Sequence, residues 1–176
     1  RSSIDQYQHF EAQVRTLASQ INLRFGSNEY QPICLKIEHH TPDQVFKYYR
    51  ASDLCMVTSL HDGMNLVAKE FVAARDDERG VLILSQFTGA SRELPEALIV
   101  NPYNIDQCAT ALQVAISMPI NEQKDRMRSM RGLIQEFNVY RWAGRMLMDA
   151  ARMRQRQRLM GRIRTSESSI QQGPNL

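Results

Sequence analysis

No run in this 176-residue chain approaches the ~18 consecutive apolar positions that a membrane-spanning helix needs. Its opening residues, Arg1 to Gln6, contain no apolar secretory core. The cytoplasm is the expected compartment, and no membrane partner is expected. Cysteine is scarce: Cys34, Cys55 and Cys108 are odd in number, far apart and set in apolar runs. That pattern reads as reduced, packed thiols and argues against a disulfide framework or a zinc site. Glycine (8) and proline (6) are too few for a collagenous or low-complexity chain, and 43% hydrophobic with 23% charged residues is ordinary globular composition. There is no Gly-x-Gly-x-x-Gly and no Walker loop, which disfavours the common nicotinamide and ATP enzymes. The absence of a nucleophile elbow or Cys/His signature weakens a hydrolase reading. Around His39-His40 no Glu or Cys falls at metal-ligand spacing, so a loop pair is expected there and no metal.

What is present is distributed unevenly. The net charge of +3 conceals an acidic body, with 14 Lys/Arg against 17 Asp/Glu in residues 1–140. Residues 141–176 hold eight Arg against Asp149 and Glu167, so the basic character belongs to one terminal segment. An arginine run without interleaved aromatics reads as a solvated helix face, and no nucleic-acid partner is expected.

Periodicity supplies the organisation. Tyr7, Phe10, Val14, Leu17 and Ile21 recur at steps of three and four, which predicts an amphipathic helix over 5–24 that Gly26 ends. Pro32 to Glu38 is a short apolar run that reads as a strand. Thr41-Pro42-Asp43-Gln44 then has the cap residue, the first-turn proline and the third-position Gln of a helix start, predicting a helix over 42–51. The unit repeats, with strands expected at 54–58, 81–85 and 97–100, a helix at 66–74 and a short helical connection at 89–94. Strands this apolar, alternating with helices, imply an α/β fold with a parallel sheet and right-handed crossovers. Three helices follow, the first capped by Asn104, the second by Asn121, the third running from Val139 to about Ile163 with Tyr140, Trp142, Met146 and Leu147 as packing residues. One domain is expected over 1–164, then a polar, aperiodic and disordered tail over 165–176.

In open α/β sheets, ligands bind beyond the carboxyl ends of the strands. The loop after the 54–58 strand, Thr58-Ser-Leu-His-Asp-Gly-Met-Asn65, enters the helix at Leu66, placing Gly63 in a turn and backbone N–H groups at a helix N-terminus. Such an end attracts anions. Asp62 lies in the same turn, and Glu70 one turn into the helix, where a carboxylate can hold a diol such as a ribose. Amides for phosphate and carboxylates for hydroxyls suit a sugar nucleotide. Asp-Gly and Met-Asn are equally ordinary turn and cap residues, and Phe87-Thr88-Gly89-Ala90 reads as a strand-to-helix turn.

The run from Tyr49 to Ala74, with its Asp-Gly-Met-Asn-Leu-Val-Ala-Lys-Glu block, closely resembles the trehalose-6-phosphate synthase family of retaining glycosyltransferases. Val81 to Ala90, Ala97 to Tyr103 and Asn138 to Trp142 fall in that family's order, and the resemblance covers about 1–150. It implies a GT-B architecture of two Rossmann-like domains, of which this chain resembles the C-terminal, nucleotide-sugar half, incomplete at its start. It implies transfer of glucose from UDP-glucose to glucose-6-phosphate with retention, a nucleotide-sugar and a sugar-phosphate partner, and no obligatory metal or other cofactor. A homo-oligomer is compatible with it.

By matched position, Asp62, the one residue given a catalytic role, and the backbone of Gly63, Met64, Asn65 and Leu66 would hold the donor glucose and diphosphate. Val67 and Glu70 would form the ribose side, His39 and the backbone of His40 would line the nucleotide pocket, and Arg1 would contact the acceptor's phosphate. The family's diphosphate-gripping Arg and Lys precede Arg1 in its pattern, so these 176 residues alone are expected not to turn over. Glucosylglycerol-phosphate synthase and a catalytically silent nucleotide-sugar module are the competing expectations.

Overall fold

The structure, a computed structural model, describes residues 5–171. Its contacts form two compact units, Arg1–Thr41 and Pro42–Leu176. The boundary falls inside the span that the sequence reads as one domain.

The first unit contains α1 (Asp5–Phe25), ended as expected at Gly26, whose N–H donates to Asn22 O at 2.8 Å. A side chain at Gly26 would lie 2.4 Å from that carbonyl oxygen, which excludes any larger residue there. The strand expected at Pro32–Glu38 does not form. A strand needs a neighbour to take its backbone groups. Here the Asn22 side chain takes those of Ile33, donating to its carbonyl and accepting from its N–H, both at 2.8 Å. Leu35, Ile37 and Cys34 are consequently exposed, so the expectation of a packed thiol is corrected at Cys34. Ala18 is the one buried residue among those described in this unit.

The second unit begins with α2 (Pro42–Ala51) and alternates β1 (Leu54–Val57), α3 (Leu66–Ala74), β2 (Val81–Ser85) and β3 (Leu98–Val100). It finishes with α4 (Ile105–Ser117), α5 (Ile120–Glu136) and α6 (Val139–Gln171). The described strands form one parallel sheet in the order β1-β2-β3, with Val57 opposite Leu84 and Ser85 opposite Val100. This is the α/β class expected, with three strands where four were read. β2 is buried along its whole length, and its alternating side chains feed two cores. Leu82 and Leu84 pack with Phe71, Val72, Met127 and Met130 on the α3/α5 face. Val81 and Ile83 pack with Val100, Cys108 and Ala115 on the α4 face.

Two helix ends depart from expectation. Asn121 does not cap α5, which already starts at Ile120. Gln123 secures that start instead, donating to Met118 O at 2.9 Å and accepting from Gly80 N at 3.1 Å. α6 continues past Ile163 to Gln171: residues 164–171 contain no proline or glycine, the two residues that interrupt a helix most strongly, and the next of each are Gly173 and Pro174. The tail expected from 165 is thus helical to Gln171, and 172–176 lie outside the described residues. Tyr140, Trp142, Met146 and Leu147, expected to pack, are at least half exposed, and Arg152, Arg154 and Arg156 are solvated as expected. No helix among the described residues is long and apolar enough to cross a membrane.

Candidate functional site

β1 and β2 are adjacent and parallel, so their carboxyl ends release two loops side by side. The first is the Thr58–Asn65 bend; the second contains Phe87-Thr88-Gly89-Ala90. Main-chain hydrogen bonds join them: Asp62 N donates to Phe87 O (3.2 Å), Gly89 N to Asp62 O (3.0 Å) and Ala90 N to Met64 O (2.8 Å). The second loop is itself held by Ser85, whose hydroxyl accepts from Phe87 N at 3.1 Å and whose carbonyl accepts from the Thr88 hydroxyl at 2.8 Å. Gly89 is required by contact: a Cβ there would lie 2.0 Å from the carbonyl oxygen of Gly63. Sequence reasoning saw an ordinary turn at 87–90; a glycine just beyond the strand neighbouring β1 was the one signal that a close approach follows.

Within the first loop, Asp62 organises its own surroundings. Its Oδ1 accepts from Met64 N (3.0 Å) and Asn65 N (2.9 Å), and its Oδ2 from Asn65 Nδ2 (3.0 Å). These bonds, led by the one from Met64 N–H, hold its carboxyl below the usual carboxylate value, with His61 adding a smaller electrostatic contribution. The amides of Met64 and Asn65, expected to face a ligand, are therefore engaged inside the loop. Asn65 adopts φ 70°, ψ 93°, a region that Asn tolerates better than most residues. Its buried side chain caps α3, Oδ1 accepting from Ala68 N at 2.9 Å, while Nδ2 also reaches Ser59 Oγ at 3.4 Å.

Asn65 satisfies one first-turn amide of α3. No hydrogen bond among the described residues occupies the N–H of Leu66 or Val67, and both residues are exposed. The chain thus presents two amides at the positive end of a helix dipole. Gly63 lies beside them; its φ is not positive, and a Cβ built on it meets nothing within 4 Å. Glu70, half-buried one turn along α3, accepts from the Tyr49 hydroxyl at 3.3 Å through Oε2.

The expected site residues are thereby sorted. Asp62, Gly63, Met64, Asn65, Leu66, Val67 and Glu70 belong to one loop and the helix it feeds. His39 and His40 lie in the first unit, and Arg1 lies outside the described residues. A cavity of about 580 Å³ adjoins the bend, lined by Met64, Leu66, Lys69, Phe137, Trp142 and Arg145 among others; Asp62 and Glu70 do not line it.

Comparison with known proteins fits this geometry. The profile of Glycosyltransferase family 20 matches residues 1–152, and the chain belongs to that family. It is 43% identical to the trehalose-6-phosphate synthase of Klebsiella pneumoniae over 169 residues, covering 94% of this chain and 36% of that protein. Against the same enzyme of Salmonella arizonae it is 44% identical over 150 residues, 85% of this chain and 32% of that one. Among solved structures it is similar to a trehalose-6-phosphate protein of E. coli bound with UDP-2-fluoro glucose, at TM-score 0.82 and 40% identity over 85% of this chain and 33% of that one. A UDP-forming α,α-trehalose-phosphate synthase from Burkholderia xenovorans, in complex with glucose-6-phosphate, matches with the same four figures. The chain spans about a third of the length of these relatives. Its fold is the Rossmann-like α/β layering of the GT-B glycosyltransferases it matches.

Proposed function

We propose that this chain forms the C-terminal, donor-binding part of a retaining glycosyltransferase that moves glucose from UDP-glucose to glucose-6-phosphate, yielding trehalose-6-phosphate and UDP. The observation that carries this reading is the bend at Asp62–Asn65, latched to Gly89 and opening the Leu66 and Val67 amides. A pre-set amide pair at a helix N-terminus stabilises the charge that develops on a departing diphosphate, at no cost of reorganisation during the reaction. The E. coli relative carries UDP-2-fluoro glucose, the B. xenovorans relative glucose-6-phosphate, and a further trehalose-6-phosphate synthase relative has served to study glycosyl transfer with retention.

In this reading Gly63 leaves room for the hexose, and the last acceptor position on Asp62 takes one of its hydroxyls. Glu70 takes the ribose diol, and the family resemblance assigns His39 and the backbone of His40 to the nucleotide and Arg1 to the acceptor's phosphate. As the bond from C1 to the diphosphate breaks, the acceptor hydroxyl attacks from the same face and its proton passes to the departing phosphate oxygen. Asp62 acts by orientation, since three hydrogen bonds hold its carboxylate in the loop. The reaction so written calls for no obligatory metal, and the cytoplasm is its compartment.

Calorimetry on the full-length protein carrying this chain tests the donor site. Gly63→Ala should leave folding intact and weaken UDP-glucose at least about tenfold, or about 1.4 kcal/mol, because its Cβ meets no protein atom within 4 Å and would occupy the space that this reading gives to the hexose. Wild-type affinity in both Gly63→Ala and Glu70→Ala would remove the proposal. Product analysis with glucose-6-phosphate against glycerol-3-phosphate checks the acceptor, and the 176 residues alone should give no turnover.

A further inference from the structure

Glu70 ends in a flexible side chain, and a carboxylate that is to grip two hydroxyls gains from being fixed beforehand. The described structure supplies one group that fixes it, the Tyr49 hydroxyl on α2, 3.3 Å from Oε2. Sequence reasoning gave Tyr49 no role. Its ring is immobilised between two others, edge-on to Phe46 (centroids 6.2 Å apart, 81° between planes) and to the fully buried Phe71 (6.1 Å, 81°). Phe71 follows Glu70 directly on α3, so the wall that seats the ring is continuous with the residue it contacts.

The backbone of Tyr49 is fixed as well. Arg75, 5% exposed at the end of α3, donates through Nη1 to the carbonyls of Tyr49 (3.0 Å), Arg50 (2.9 Å) and Ser52 (2.6 Å). It is itself steadied by an ion pair from Nε to Asp77 at 3.0 Å. The end of α3 therefore clamps the end of α2, and α2 returns a hydroxyl to the middle of α3. Phenylalanine would satisfy the aromatic packing equally; the hydroxyl adds a hydrogen bond to a carboxylate, a long one at 3.3 Å. Burial, and then the charge of Glu70, push the Tyr49 hydroxyl up to about 12, so it remains a donor at neutral pH.

We infer that Tyr49 is a positioning residue for nucleotide recognition, holding one oxygen of Glu70 so that the other is presented to the ribose diol of a uridine nucleotide. This rests on the reading of Glu70 as the ribose ligand, and the test separates the two. In the full-length protein, the affinities of UDP and of 2′,3′-dideoxy-UDP are measured by calorimetry for wild type, Tyr49→Phe, Glu70→Gln and the double variant. Tyr49→Phe should cut the preference for UDP about three- to tenfold, the net scale of one ordinary hydrogen bond, while binding the dideoxy compound as wild type does. The double variant should be no worse than Glu70→Gln. A wild-type preference in Tyr49→Phe beside a lost preference in Glu70→Gln overturns the inference and leaves the ribose reading standing. Equal weakening of both nucleotides in Tyr49→Phe also overturns it, exposing a merely structural role. If Glu70→Gln itself keeps the preference, the ribose reading falls and the inference with it.

Discussion

The loops after β1 and β2 leave neighbouring strands, each carries a glycine, and the residues beside the two glycines differ in burial. In the first, Gly63, Met64 and, at its entry to α3, Leu66 are exposed; in the second, Thr88 is 3% and Ala90 0% exposed. The glycines differ accordingly. Gly89 is small because a carbonyl of the protein stands 2.0 Å from where its Cβ would be, whereas nothing in the described chain requires Gly63 to be small. One loop is scaffold and the other is the surface it positions. A glycine in a sequence says that something comes close; only its neighbours in space say whether that is the protein or a ligand.

Substitutions can break this division of labour, and the largest effect belongs to the scaffold side. Gly89→Ala should destabilise by about 2–3 kcal/mol through forced displacement of the Gly63 backbone, read as a lowered denaturant midpoint. A wild-type midpoint would mean that the two loops do not press on each other. Asn65→Ala comes next, losing the α3 cap and placing alanine at positive φ; about 2 kcal/mol is expected. Asn65→Gly, which relieves the dihedral, should cost less than Asn65→Ala in the same experiment. Gly63→Ala should shift stability by less than about 0.5 kcal/mol, leaving its effect on donor affinity as the sole signature.

The smallest effect is a matter of pH. The Asp62 carboxyl lies below its ordinary value of 3.8 in the folded chain, so its contribution to loop order is fully present above that value and is lost as pH falls through the lower, folded one. The Met64 and Asn65 amide resonances should stay constant from neutrality down to the ordinary value and move only below it. A midpoint above 3.8 would show that the carboxylate is not held by those amides.

Much of the fold was legible because its signals are local. Pro42 opens α2, an alanine-rich stretch forms α3 from Leu66 to Ala74, and the apolar run Val81–Leu84 with Ser85 forms β2 at the bounds read from sequence. Pro32–Glu38 shows where local signals stop: its apolar composition permits a strand, but Asn22 takes the backbone groups of Ile33 that a ladder would have paired. The aromatic and apolar residues of α6 likewise announce a need for burial without naming what would cover them; Tyr140 is 83% and Trp142 63% exposed.

The candidate site divides along the same line. That Asp62, Gly63 and Asn65 form a turn feeding a helix, and that Glu70 sits one turn beyond, follows from residue types and spacing, because turn and cap chemistry acts over three or four residues. Which amides that turn leaves open was not written there. Asp62 occupies those of Met64 and Asn65, the Gly89 loop fixes the bend from across the sheet, and Tyr49 reaches Glu70 from another helix. Each of these depends on how groups distant in the chain, or competing at hydrogen-bonding range, are brought together when the sheet assembles, and tertiary structure alone decides that.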